Sequence, residues 1–183
     1  MPLGIITQPQ RGLALLLCRA RNTAPRQEIR NQPSSQGWFS VMKIIIDYNR
    51  TIFDPEADAL YPGVFELLKD LSEGNELFLV SKNEPGRGPR LRELGIEAFF
   101  KRIEFVDEKS TELFLSITGG SIGALVVGDS IRSEIRAGNR LGLVTVRVRQ
   151  GKFAQEEPVE ADQIPCFEIQ NVADLRDFLK AYE

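Results

Sequence analysis

Short apolar runs alternate with segments that carry apolar residues at helical spacing throughout residues 43–183. The apolar runs predict buried strands, and the spaced segments predict helices. Strands with almost entirely apolar interiors that alternate with helices indicate a parallel sheet covered on both faces. The sequence therefore predicts a three-layer α/β/α, Rossmann-like domain with a mainly parallel sheet. The predicted strands are Lys43–Asp47, Leu77–Val80, Ile103–Val106, Ala124–Val127, Leu143–Val148 and Cys166–Ile169, and the predicted helices are Val64–Leu71, Pro89–Leu94, Ser110–Ile117, Ser130–Leu141 and Val172–Ala181.

Residues 1–41 have a different composition from the rest of the chain. They are rich in Arg, Gln, Asn and Pro, and their one apolar run, Gly12–Cys18, is short for a secretory signal. We interpret 1–41 as a disordered or mis-assigned N-terminal extension, because Met42 immediately precedes the first predicted strand. An Arg-rich organellar transit peptide is the alternative. Residues 42–183 are then the α/β domain.

Composition excludes several classes of function. The net charge is −3, and the acidic residues lie mainly after residue 42, so no nucleic-acid partner is expected. The chain has no histidine. This rules out a Ser-His or Cys-His nucleophile pair, a histidine general base and a histidine-ligated metal. Chemistry must therefore depend on carboxylates, lysine, hydroxyls or a bound cation.

The cysteines and the hydropathy pattern predict a cytoplasmic protein. The two cysteines, Cys18 and Cys166, are far apart and have no zinc-ligand spacing. They suggest neither a zinc site nor a disulfide framework, which favours a reducing compartment. No apolar run approaches the roughly 18 residues that a membrane-spanning helix needs, so no membrane partner is expected.

Polar residues follow three of the predicted strands. Asp47 ends the first strand, Ser81 follows the second, and Asp129 follows the fourth. In open parallel sheets, ligands bind beyond the carboxyl ends of the strands, so these side chains are expected to meet in one crevice where their strands lie side by side. Paired carboxylates suit a hard cation, and Mg²⁺ is the usual one where a phosphate completes its coordination shell.

Four motifs in this order resemble those of the haloacid dehalogenase-like (HAD) superfamily, and the resemblance covers residues 43–183. It implies a Mg²⁺-dependent phosphohydrolase (a phosphatase) that acts on a phosphorylated small molecule or a bulky phospho-substrate through an aspartyl-phosphate intermediate. The motifs are Asp47-Tyr48-Asn49-Arg50-Thr51 after the first strand, Ser81 after the second, Lys109 at the start of a helix, and Gly128-Asp129 followed by Glu134 after the fourth strand.

The resemblance implies a nucleophile and a set of metal ligands. Asp47 would take the phosphoryl group and would also contact Mg²⁺. Asp129 would be a side-chain ligand, and the backbone carbonyl of Asn49 would be another ligand. Glu134 would support the metal or its waters.

The resemblance also implies that Ser81 and Lys109 bind the oxygens of the transferring phosphoryl group and neutralise its charge. Lys82 and Lys101 are alternatives to Lys109. Three further arginines that could lie near an anionic substrate are expected to be solvated instead. They are Arg87, Arg90 and Arg132.

The sequence departs from the HAD pattern at Asn49, where phosphatases of the superfamily usually have an aspartate as general acid and base. An amide cannot deliver a proton to a leaving alkoxide, and that step is typically worth about 10²–10⁴-fold in rate. Aryl or acyl phosphates would lose less than alkyl phosphates. The alternative function is therefore a catalytically weakened HAD-like protein that binds a phosphorylated ligand or regulates through it.

The spacing of the motifs leaves no room for an inserted cap domain. The intervals from Asp47 to Ser81 and from Ser81 to Lys109 are filled by predicted core elements. An open, capless site suits a bulky substrate, or a homo-oligomer in which a second subunit covers it. A response-regulator-like receiver domain is less consistent with the chain, because its phosphoacceptor lies on a middle strand, whereas Asp47 ends the first.

Overall fold

The computed structural model describes residues 41–121 and 123–182. Their centre is a six-stranded parallel sheet with the order β5-β4-β1-β6-β7-β8. The first strand lies in the interior of the sheet, between β4 and β6. The strands of this sheet are β1 (Met42–Asp47), β4 (Asn75–Lys82), β5 (Arg102–Val106), β6 (Leu125–Gly128), β7 (Val144–Val148) and β8 (Phe167–Ile169).

In residues 41–121 and 123–182, five helices cover the two faces of the sheet. Alternation along β1 explains the layers, because side chains of a strand point to opposite faces in turn. Ile44 and Ile46 pack into one hydrophobic core with α1, α2 and α5, and Ile45 packs into the other with α3 and α4. The helices are α1 (Val64–Gly74), α2 (Arg87–Glu93), α3 (Thr111–Thr118), α4 (Glu134–Arg140) and α5 (Leu175–Tyr182).

A small hairpin follows β1 and leads into α1. Its two-residue strands are β2 (Phe53–Asp54) and β3 (Ala59–Leu60), paired antiparallel. Within the described residues, only this hairpin and α1 lie between β1 and β4, and no cap domain is present there. Among the residues that the structure describes, the hairpin and neighbouring loops therefore cover the carboxyl end of β1.

The predicted fold class is confirmed, and the differences are local. The helix expected from Ser130 begins at Glu134, because the backbone N–H of Ser130 bonds to the Glu134 carboxylate and holds the intervening residues as a turn. The hairpin was not predicted, since strands of two residues have no readable periodicity. Four short 3₁₀ helices in the described part of the chain were also not predicted. They are Glu97–Phe99, Gly151–Phe153, Ala161–Gln163 and Val172–Asp174.

Some sequence predictions lie outside the part of the chain that the structure describes. The interpretation of residues 1–41 concerns segment 1–40 almost entirely, so it stays a prediction. Cys18 lies in segment 1–40, and Cys166 is not a free thiol. The cysteines therefore do not support the predicted reducing compartment. Among the described residues, no helix is long and apolar enough to cross a membrane.

Candidate active site

Asp47 lies at the carboxyl end of β1 and is buried, with 5% of its surface exposed. The chain turns sharply after it, and the backbone N–H groups of Ile52 and Phe53 both donate to the Tyr48 carbonyl, each at 3.0 Å. This turn brings Thr51 back over the strand end, where its hydroxyl donates to Asp47 Oδ2 at 2.9 Å. The Asp47 carboxylate is therefore fixed by its own turn.

Two further acids reach the same point from the end of β6. Asp129 follows the last residue of the strand, and Glu134 begins α4; both are buried. Glu134 Oε1 accepts the Ser130 N–H at 2.7 Å. The Glu134 side chain can lie here only because residue 128 is glycine, since a Cβ at residue 128 would lie 2.2 Å from Glu134 Cγ.

The three carboxylates form a compact group that fits a hard cation. Asp47, Asp129 and Glu134 each offer an oxygen, and these oxygens all lie within 4.8 Å of one another. Burial and the charges of Asp47 and Glu134 raise the pKa of Asp129 to about 8, although Arg50 opposes the rise. Burial also raises the pKa of Asp47. Their mutual repulsion is what a divalent cation would relieve, and oxygen donors of this kind are those that Mg²⁺ prefers.

Lys109 neutralises part of this negative charge. Its ammonium donates to Asp47 Oδ1 and, at 2.9 Å, to Glu134 Oε2. Burial alone would lower the pKa of Lys109, but the two carboxylates hold it above its ordinary value. Of the three candidate lysines, the structure places Lys109 in the site. Lys82 is exposed, and Lys101 pairs with Glu76 on the surface.

Arg50 supplies a second cation at the acids. Its Nε donates to Asp129 Oδ2 at 3.0 Å, and its guanidinium lies over the Phe153 ring, 4.7 Å from the centroid. The backbone of Arg50 has a φ of +60°, which is uncommon for a residue other than glycine. The side-chain amide of Gln150 fixes this backbone by donating to the carbonyls of Arg50 and Thr51.

The expectation that Arg87 is solvated was wrong. It is 7% exposed and donates from Nη1 to Ser81 Oγ at 2.6 Å. With the Asn49 amide oriented so that its oxygen faces the guanidinium, that oxygen accepts from Arg87 Nη2 at 3.0 Å. Arg87, which was predicted to be solvated, therefore links two of the predicted site residues, Ser81 and Asn49. The sequence signal for a fixed Arg87 side chain was Glu84, three residues earlier, which pairs with the guanidinium.

Arg90 and Arg132 differ from Arg87. Arg90 is partly exposed and pairs with Asp58 at 3.1 Å. Arg132 is largely exposed and pairs with Glu156. The prediction of solvated side chains thus describes Arg132 well, describes Arg90 in part, and fails for Arg87.

The sequence of this chain is similar to those of known proteins. The family model for HAD-hydrolase-like proteins matches residues 116–175. A glyceraldehyde 3-phosphate phosphatase of Methanopyrus kandleri is 33% identical over 132 residues, which are 66% of this chain and 56% of that protein. The chain thus spans little more than half the length of this relative.

Solved structures share the fold. A Bacillus subtilis protein described as a HAD-hydrolase, YfnB, bound to magnesium, is 26% identical with a TM-score of 0.56, covering 66% of this chain and 56% of its own. A haloacid dehalogenase-like hydrolase of Burkholderia xenovorans has a TM-score of 0.64 at 13% identity, and the match covers 78% of this chain and 99% of that protein. This second likeness concerns the fold alone. Together, the family model, the Methanopyrus relative and YfnB confirm the resemblance of this chain to the haloacid dehalogenase-like hydrolase superfamily that its motifs predict.

Proposed function

We propose that this protein is a Mg²⁺-dependent phosphohydrolase in which Asp47 is the nucleophile. The observation that carries the proposal is the position of the Asp47 carboxylate, which is bonded to Lys109 and lies within 4.8 Å of oxygens of Asp129 and Glu134. A carboxylate attacks a phosphate dianion only where the negative charges are offset. The phosphatase activity in the name of the Methanopyrus relative also supports the proposal.

Each residue of the proposed site has its own role in phosphoryl transfer. Asp47 forms a bond to phosphorus while Thr51 and Lys109 hold its two oxygens in place. Ser81 and Lys109 hold oxygens of the transferring group. Mg²⁺, held by the side chains of Asp47, Asp129 and Glu134 and the backbone carbonyl of Asn49, would supply charge neutralisation at the phosphoryl group.

The surroundings of the site remain predictions. The acidic body of the chain suits a phosphorylated small molecule or other phospho-substrate better than nucleic acid. The proposed location is the cytoplasm. A second copy of the chain that covers the open site is the proposed form of any oligomer.

A second candidate function rests on Asn49. Its amide hydrogen-bonds to the buried Arg87 guanidinium, and neither group gives up a proton to a leaving oxygen at neutral pH. A protein of this kind would bind a phosphorylated ligand and hydrolyse alkyl esters slowly or not at all. Since general acid catalysis contributes about 10²–10⁴-fold, the loss is large enough to change the protein's role.

Phosphate release from an aryl phosphate, with Mg²⁺ and with a chelator, separates the two functions. If the protein is a phosphohydrolase, the parent protein releases phosphate only with Mg²⁺, and this activity disappears in Asp47→Asn. The matched control is Asp70→Asn, since Asp70 is a surface acid on α1 paired with Arg176, and it is expected to leave the rate unchanged.

The position-49 variant gives the second half of the test. If only Asn49→Asp has activity, the natural protein is the weakened relative. If neither protein releases phosphate and calorimetry detects no Mg²⁺ binding, both proposals are wrong.

A further inference from the structure

A pocket of about 320 Å³ lies beside the proposed phosphoryl site, and the residues proposed to transfer the phosphoryl group leave it unfilled. Its lining includes Asn49 and Arg87, and Arg87 also donates to Ser81 at 2.6 Å. Arg87 therefore stands between the phosphoryl-binding hydroxyl and the pocket. The volume is at the small end of the range for ligand sites, enough for one ring or a short chain. The part of the substrate that is not transferred would occupy this space.

Flat groups dominate the walls of the pocket. The rings of Tyr48 and Phe53 are stacked, with centroids 4.8 Å apart and planes at 14°. The Arg87 guanidinium lies over Tyr48 at 4.7 Å, and that of Arg90 lies over Phe53 at 5.9 Å. Guanidinium planes stack well on conjugated groups. The lining thus favours a planar occupant over a puckered one of the same size.

The charges of the lining cancel before a ligand enters. Arg87 pairs with Glu84, and Arg90 pairs with Asp58 at 3.1 Å. These pairs fix both guanidiniums without leaving excess negative charge. A leaving oxygen that becomes negative as its bond to phosphorus breaks would meet no net repulsion, and the positive charge of the Arg87 guanidinium would stabilise it.

The lack of a proton donor at position 49 points to the same occupant. The Asn49 amide and the Arg87 guanidinium donate hydrogen bonds but do not transfer their protons. The leaving oxygen must therefore depart as an anion, which is easy only where its charge is delocalised into a conjugated group. Geometry and chemistry thus agree on the class of leaving group.

We propose that this pocket binds a planar, conjugated leaving group, an aryl or acyl oxygen, and that Arg87 is the residue that determines this specificity. The proposal rests on the proposed phosphohydrolase function. In the step, Asp47 Oδ bonds to phosphorus, the bond between phosphorus and the leaving oxygen breaks, and its electron pair stays on an aryloxide or carboxylate beside Arg87. Solvent protonates an aryloxide after it leaves, whereas a carboxylate stays ionised. Water then hydrolyses the aspartyl-phosphate, which regenerates the Asp47 carboxylate and releases inorganic phosphate.

Binding is tested first, without turnover. Phenylphosphonate and cyclohexylphosphonate cannot be hydrolysed and are alike in size, so they differ chiefly in planarity. Calorimetry with the full chain and Mg²⁺ is expected to show about tenfold tighter binding of phenylphosphonate. The preference is expected to disappear in Arg87→Gln and in Arg87→Lys, since lysine keeps the charge but has no plane. Arg92→Gln is the matched control on the same helix, because Arg92 is exposed and pairs with Glu97.

Kinetics then tests the role in bond breaking. Arg87→Gln is expected to lower kcat/KM for phenyl phosphate about 100-fold. The loss should be smaller for 4-nitrophenyl phosphate, whose anion needs less stabilisation, so the dependence of rate on the leaving group becomes steeper. A merely structural role would lower all the rates equally. Acetyl phosphate in the same series distinguishes an acyl source from an aryl one. If both Arg87 variants fail to fold, Arg90→Gln at the partly exposed rim is the substitute, and it is expected to weaken the preference for the planar phosphonate.

The two proposals fail in different ways. Equal binding of the two phosphonates by the parent, or a preference that survives every arginine substitution, would overturn the specificity proposal even if phosphate is released. A preference that depends on Arg87 without any phosphate release would support the pocket and overturn the hydrolase.

Discussion

Replacing Gly128 with alanine should damage both the stability of the fold and the acid cluster. The added Cβ would lie 2.2 Å from Glu134 Cγ, 2.4 Å from its Oε1 and 2.6 Å from its Cδ. All three distances are shorter than contacts in real proteins, so the Glu134 side chain must move. Any such movement takes its carboxylate away from the Ser130 N–H at 2.7 Å and from Lys109 at 2.9 Å.

The size of the effect follows from these contacts. Overpacking a core position costs about 1–3 kcal/mol, and each hydrogen bond to a buried charged group contributes about 1.5–3 kcal/mol. Because relaxation will recover part of the loss, we expect Gly128→Ala to lower the free energy of unfolding by about 4 kcal/mol. In a domain of this size, that corresponds to a melting temperature lower by roughly 10 °C.

Urea unfolding with and without Mg²⁺ measures both consequences. A ligand that binds only the folded state stabilises it by about 2.7 kcal/mol at 100 times its Kd. We expect this increment in the parent and little of it in Gly128→Ala. Gly74→Ala is the matched control, since a Cβ at that position would meet nothing within 4 Å apart from its own stretch of helix. Unchanged stability and unchanged Mg²⁺ response in Gly128→Ala would refute the steric account of Glu134.

Three other substitutions test separate features. Arg50→Gly removes the cation bonded to Asp129 at 3.0 Å and suits the positive φ of 60°; calorimetry should show Mg²⁺ affinity raised by about tenfold, and weaker binding would mean that Arg50 supports the site. Arg147→Ala empties a fully buried position and leaves two backbone carbonyls without their donor; urea unfolding should show a loss of about 3 kcal/mol, and a loss under 1 kcal/mol would contradict it. Phe114→Ala, at 0% exposure in the core beneath α3 and α4, should cost about 3–5 kcal/mol, and thermal melting checks it.

The sheet and its strand-end acids were predictable because they depend on local patterns. Buried parallel strands are continuous apolar runs, and the order of strands and helices determines the fold class. Once the sheet is parallel, the residues that follow β1 and β6 must meet at one edge. Asp47 and Asp129 converge because β1 and β6 are also neighbours in the sheet, whereas their proposed roles came from the resemblance.

The position of Arg87 could not be predicted in the same way. Its burial depends on Ser81 at the end of β4, Asn49 in the turn after β1 and the Tyr48 ring, which only the folded sheet brings together. Arginine in a loop rich in glycine and proline is most often solvated, so composition pointed the other way. The need for glycine at residue 128 was likewise invisible, since it arises from the path of the Glu134 side chain.

The interior place of β1 has a consequence for synthesis of the protein. Its Ile44 pairs with Leu125, and its Met42 pairs with Asn75. A nascent chain emerging from the ribosome can join β1 to β4 early, but it must wait for β6 before the other flank of β1 is closed. Pairings between such distant segments form slowly, and until then β1 presents an open apolar edge. Stalled or truncated translation products that end before residue 125 should therefore aggregate.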